Sequence, residues 1–109
     1  MRGFLGVGRR GKRTAEAFLT ALREGNIVAA QSQLETGAVL HWPFGNPQTL
    51  AQFLTNASDL EWGKVIAAGQ YVTACVKLRS GSVESQGVML FEFRASSGRI
   101  AAVQMFVNG

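Results

Sequence analysis

The apolar pattern of this chain changes period once, near Leu60, and that single change limits the folds open to it. Before it, apolar residues recur three and four positions apart, as on one face of a helix. After it come four stretches of nine or ten residues, at 60–68, 70–79, 86–95 and 99–107, in which apolar and polar side chains tend to alternate. They are divided by Gly69-Gln70, Ser80-Gly81-Ser82 and Ser96-Ser97-Gly98, connections short enough to join antiparallel neighbours. The second half therefore predicts a four-stranded meander. Strands of this length, at about 3.3 Å per residue, twist and curl around whatever covers one face.

The first half predicts the cover. Thr14 followed by Ala15-Glu16-Ala17 reads as an N-cap and first turn, Phe18, Leu19 and Leu22 form an apolar stripe, and Gly25 supplies a stop. Asn26 can cap a second helix in which Ile27, Ala30 and Leu34 share a face before Gly37 ends it, giving a helical hairpin over about 14–36. Residues 38–42 form a short strand-like run halted by Pro43. The turn Pro43-Phe44-Gly45-Asn46-Pro47 leads to a third helix carrying Leu50, Phe53 and Leu54, which ends within 56–59. The expected fold class is α+β: N-terminal helices packed on a curved antiparallel β-sheet, shaped as a cone whose open end offers a small-molecule pocket.

One domain accommodates all of this. The chain has 109 residues, 47% of them hydrophobic, enough for a core of its own. The pI of about 10.0 comes from one place. Arg2, Arg9, Arg10, Lys12 and Arg13 precede any acid, while the rest of the chain carries six Lys/Arg against seven Asp/Glu. The expected organisation is a basic N-terminal tail at 1–13 and a single domain at 14–109. Nucleic acid is not the partner expected for the nearly neutral body; only the tail, through weak and salt-dependent phosphate contacts, could touch one. Cys75 alone can form neither an internal disulfide nor a cysteine-based metal site. No apolar run approaches the roughly 18 residues of a membrane span. A cytoplasmic protein with no membrane contact, no metal and no cofactor is expected.

Three segments carry a family resemblance. Residues 18–26, Phe-Leu-Thr-Ala-Leu-Arg-Glu-Gly-Asn, resemble the opening helix of the nuclear transport factor 2 superfamily and its stop; residues 39–45 resemble the segment that bears the catalytic aspartate of ketosteroid isomerases; and Gly98-Arg99-Ile100 to Met105-Phe106 resembles the closing strand of SnoaL-like polyketide cyclases. The resemblance covers about residues 14–107 and implies a cone-shaped, cystatin-like fold. It also implies that the isomerase chemistry is missing. The aspartate before Pro-Phe-Gly falls on Trp42, the oxyanion-donating tyrosine on Phe18, and the protonated aspartate near Met89. None of these side chains can perform the corresponding role. Epoxide hydrolases of the same fold use an Asp-Arg-Asp set, and no comparable pair of acids stands out along the meander; scytalone-dehydratase-like chemistry wants two histidines, and the chain has one.

The remaining catalytic candidates are His41 and Tyr71. His41 adjoins the position that carries chemistry in the family, and imidazole is the side chain that exchanges protons near neutral pH. Alternation turns it away from Trp42, as a structural residue would be. Tyr71 shares a strand face with Cys75, which suits packing as well as chemistry. If the family register holds, Met89, Phe91 and Phe93 line the interior with Ala101, Val103, Met105 and Val107, under Phe18, Leu22, Trp42, Phe53 and Trp62. Of these, Phe18, Leu22, Trp42, Phe53, Trp62, Met89, Phe91, Val103, Met105 and Val107 are the expected ligand-binding set, or else the side chains that fill the cavity. The opposite face carries Val88, Leu90, Glu92, Arg94, Ile100, Ala102, Gln104 and Phe106, a mixture suited to an isologous homodimer. Three readings follow: a domain binding a small apolar ligand in the cone, an isomerase, cyclase or hydrolase with unusual residues, and a dimeric protein-interaction module.

Overall fold

The computed structural model describes residues 7–43, 47–57, 59–80 and 82–108. The expected turn at residues 43–47 therefore falls largely outside the described residues, as do 1–6 of the basic segment, Ser58 in the expected helix exit and Gly81 in the second hairpin. In chain order the elements are α1 (Gly8–Glu24), α2 (Ile27–Ser32), β1 (Leu34–His41), β2 (Pro47–Gln48), α3 (Leu50–Asn56), β3 (Glu61–Ala68), β4 (Tyr71–Ser80), β5 (Val83–Phe93) and β6 (Ile100–Asn108). The strands form one six-stranded sheet in the order β2-β1-β6-β5-β4-β3.

Local chemistry explains most boundaries. The Gly25 amide donates to the Leu22 carbonyl oxygen as the C-cap of α1, and the Asn26 side chain accepts from the Ala29 amide at 3.0 Å, so one helix ends and the next begins within two residues. Thr49 and Gln52 form a reciprocal capping box at the start of α3, with bonds of 3.0 and 3.2 Å.

Several boundaries differ from the sequence expectation: β2 is absent from it, β5 starts at Val83 rather than residue 86, and the largest differences lie in the first half. α1 starts at Gly8 rather than Thr14. Tertiary contacts extend it: the Val7 amide donates to the Gly69 carbonyl oxygen at 2.9 Å, and buried Gly11 lies against Val72. The Thr14 hydroxyl caps nothing; it donates back to the Arg10 carbonyl oxygen at 3.0 Å. Residues 8–13 are therefore helical and seated on the sheet. α2 stops at Ser32, and residues 34–37 belong to β1 instead of the helix. Pairing wins there, because the Ile100 amide donates to the Gln33 carbonyl oxygen and Leu34 partners Ile100. Gly37, at φ 80°, sits inside the register shift between Leu34 and Val39, a left-handed bend open to glycine at little cost.

The sheet is mixed rather than purely antiparallel. β1 runs parallel to β6, with Val39, Leu40 and His41 opposite Ala102, Val103 and Gln104; the other neighbours are antiparallel. A parallel pair requires a long crossover, and the whole meander with α3 provides it. A second register shift, between Glu92 and Phe93, inserts Ala101 as an extra residue and turns Ile100 inward, where it is fully buried. Ile100 therefore leaves the outer face on which strict alternation would place it.

The helices cover one face. Val72, Ala74 and Val76 of β4, Met89, Phe91 and Phe93 of β5, and Val103 and Met105 of β6 point toward Phe18, Leu19 and Leu22 of α1 and Phe53 of α3. At Gly87 the strands β5 and β6 approach so closely that a Cβ would collide with the Phe106 carbonyl oxygen. Only glycine fits that bend.

Candidate functional site

Where the sequence predicts a pocket, the cone is filled. Of the ten expected ligand-binding residues, Phe18, Leu22, Phe53, Met89, Phe91 and Val103 have no exposed surface and Met105 has almost none. Their rings pack on one another: Phe18 meets Phe91 edge-on with centroids 6.0 Å apart and Phe53 at 6.4 Å, and Trp42 stands edge-on to Phe53 at 5.1 Å. Among the described residues no polar side chain is buried with them. Phe18 and Met89, onto or near which the resemblance to isomerases maps a tyrosine and an aspartate, are ordinary core.

The other three, Trp42, Trp62 and Val107, lie half-buried at the rim. Trp62 closes one end, with the Arg23 guanidinium 4.6 Å from its ring centroid. Trp42 marks another opening. A cleft of about 350 Å3 is lined there by His41, Trp42, Pro43, Gln104, Met105, Phe106 and Val107. It brings together three of the expected residues, Trp42, Met105 and Val107, with the candidate base His41.

Alternation does set His41 and Trp42 on different sides, but β1 ends at His41 and the chain leaves the ladder. Both residues thereby reach the same cleft. Gln104 arrives through the parallel ladder, directly opposite His41. Sequence reasoning missed it as a site residue, since only the β1–β6 register couples the two. The chemistry available is modest: an imidazole and a carboxamide beside an indole and a thioether, suited to orienting a flat or apolar molecule by one or two hydrogen bonds. Tyr71 takes no part. It is 45% exposed near the start of β4 and, as expected, shares a face with Cys75.

A larger groove, about 660 Å3, crosses β3 to β6. Glu61, Lys77 and Gln86 form one cross-strand row in it and Cys75, Val88 and Phe106 another, all on the face away from the helices. Bare backbone at Gly63 and Gly87 deepens it. Phe106, which is 53% exposed, lines both this groove and the Trp42 cleft. Among the described residues, no group of three or more His, Cys, Asp and Glu side chains could hold a metal ion, and no helix is long and apolar enough to cross a membrane.

No protein-family model matches the sequence, and no curated protein is similar enough in sequence to serve as a relative. Solved structures are another matter. A nuclear transport factor 2-like protein of unknown function from Cytophaga hutchinsonii superposes with a TM-score of 0.73 at 15% identity, over 90% of this chain and 89% of that one. A protein of unknown function with a cystatin-like fold from Xanthomonas campestris gives 0.73 at 17%, over 91% of each. The fold is the nuclear transport factor 2-like one. An epoxide hydrolase of Mycobacterium tuberculosis, described as LEH-like, shares it at a TM-score of 0.68 and 20% identity, over 90% of this chain and 82% of its own. The nuclear transport factor 2-like fold thus joins proteins of unknown function to an enzyme, and identities this low carry the fold alone.

Proposed function

We infer that this nuclear transport factor 2-like domain binds a small, largely apolar ligand at the mouth of its cone, in the cleft beside Trp42, rather than in the filled interior. The supporting observation is the convergence of Trp42, Met105 and Val107 with His41 and Gln104 on one cleft of about 350 Å3, within the range usual for small-ligand sites. The aromatic and thioether surfaces supply contact area, and His41 and Gln104 supply direction. Binding without proton transfer fits the family resemblance, which maps the isomerase catalysts onto Trp42 and Phe18 and near Met89. Turnover through His41 is the enzymatic version of the same site. An exposed free thiol at Cys75 suits a reducing, cytoplasmic setting.

A panel of steroids, terpenoids and aromatic acids tests this reading by thermal shift. A true ligand at about ten times its Kd should raise Tm by about 5–10 °C, and the gain should disappear in Trp42→Ala. A flat panel counts against this reading, and a gain that survives in Trp42→Ala excludes this cleft.

A second reading is favoured by the outer face of the sheet. Ile66, Tyr71 and Phe106 are each about half exposed there, around Val88 and Leu90. A two-fold mate packed on this face would cover them, giving a homodimer that could also serve as an interaction module. Sedimentation at micromolar concentration should then report a dimer; monomer alone removes the reading.

A further inference from the structure

The first two turns of α1 carry charge that the fold does nothing to balance. Arg9, Arg10 and Arg13 are exposed and Lys12 is half-buried. The first turn holds no acid, and the N-cap residue, Val7, makes no side-chain capping bond. Among the described residues the ion pairs are Arg79–Glu84 and Arg94–Glu35, so none of these four cations is paired. Cations gathered at the positive end of a helix repel both the helix dipole and one another. Everywhere else the chain is close to neutral, with six Lys/Arg against seven Asp/Glu beyond residue 13.

These cations do not sit on a loose tail. Val7 is hydrogen-bonded to Gly69, and Gly11 is buried where a Cβ would lie 3.3 Å from the Val72 Cγ2 and would collide with the Val7 side chain. A glycine at that position lets the basic turns lie down on the β3–β4 edge. Arg9 and Arg13, four residues apart, share the solvent side of the helix about 6 Å apart along its axis. The result is a cationic ridge whose ordering cost is met by the fold itself, so a partner need not supply it.

We propose that this ridge, Arg9, Arg10, Lys12 and Arg13, is a docking surface for the phosphate backbone of nucleic acid, bound without sequence readout. Three of the four are arginines, whose planar fork matches phosphate oxygens. A membrane surface fits less well. Interfacial helices insert an apolar face, and the apolar stripe of α1, formed by Ala15, Phe18, Leu19 and Leu22, is fully taken up by the core. A protein partner would want an apolar anchor among the charges, and the exposed positions from 9 to 17 are Arg9, Arg10, Arg13, Glu16 and Ala17.

The test is fluorescence anisotropy of a labelled 20-bp duplex of arbitrary sequence with the full chain, titrated over a range of salt. Binding should be micromolar or weaker, indifferent to sequence, and fall with salt at a log–log slope of about −3 to −4, or about −0.9 for each cation engaged. Arg9→Gln with Arg13→Gln should flatten the slope by about two, with circular dichroism and Tm showing the fold retained. Arg79→Gln, toward the other end of β4, should leave the slope within about 0.5 of the wild-type value. No binding at about 50 mM salt overturns the proposal, as does a slope unchanged in the double variant. Binding to phosphatidylserine vesicles without binding to the duplex would assign the ridge to membranes and overturn it too.

Discussion

His41 lies directly opposite Gln104 across the parallel β1–β6 ladder, and both side chains border the cleft beside Trp42. The pair exists because the chain, after α3 and strands β3 to β5, returns with β6 alongside β1. Two polar groups thus stand beside an indole at the rim of a domain whose interior, among the described residues, is apolar.

Removing either polar group should separate binding from folding. His41→Ala and Gln104→Ala are each expected to change stability by no more than about 0.5–1 kcal/mol, since both sit at the surface end of the ladder. Each should weaken a ligand bound at this cleft about five- to tenfold, the worth of one net hydrogen bond. Urea denaturation and ligand titration read the two effects independently. Wild-type ligand affinity in both variants would move the binding site elsewhere.

The filled cone makes a prediction of its own. Phe18→Tyr adds a hydroxyl at the position to which the resemblance maps the isomerase tyrosine, but here it would enter a packed ring cluster with no buried polar partner among the described residues. A loss of about 1–3 kcal/mol is expected from the unsatisfied group. Phe91→Ala, which leaves a cavity under the same cluster, should cost about 3–5 kcal/mol. If Phe18→Tyr were neutral in urea denaturation, the cluster would have to hold an accessible void or acceptor.

Much of this architecture is legible in sequence because it rests on local chemistry. Gly25 and Asn26 announce the break between α1 and α2, and two-residue periodicity places Met89, Phe91, Val103 and Met105 on the inner face. What stays hidden depends on distant partners. The first turns of α1 break the local rules for a helix start and are held by Gly69 and Val72, some sixty residues away. Nothing near residue 34 announces a parallel partner at residue 100, so β1 reads as helix over its first half. The bulge at Ala101 reverses the side of Ile100 in a way that strict alternation cannot anticipate. The site suffers most: Gln104 becomes a neighbour of His41 only when the register is known.

Gly87 should tolerate no side chain. In Gly87→Ala the new Cβ would meet the Phe106 carbonyl oxygen, part of a strand backbone that cannot swing aside as a side-chain tip could. A cost of about 3 kcal/mol or more is expected, with β5 and β6 forced apart at this point. Gly63→Ala, where nothing lies within 4 Å of the added methyl, is the control and should stay within about 1 kcal/mol. Thermal denaturation of the two variants checks the difference; equal Tm values would mean that the sheet has slack at the bend.

Phe106 links the two surfaces proposed to bind, since it forms a wall of both the Trp42 cleft and the outer groove. In a sheet-to-sheet homodimer its exposed ring would be covered by the mate, and Phe106→Glu would set a charge against an apolar face with a symmetry-related charge close by. Sedimentation should then show the variant as monomer at concentrations where the wild type is dimeric, with the monomer still folded because that face of Phe106 is open to solvent in the isolated chain. The same substitution removes one wall of the cleft, so a second outer-face variant away from the cleft, Ile66→Glu, separates two arrangements. If ligand still binds monomeric Ile66→Glu with less than about a threefold loss, the cleft works within one chain; if binding and dimer vanish together in Ile66→Glu, the mate completes the cleft.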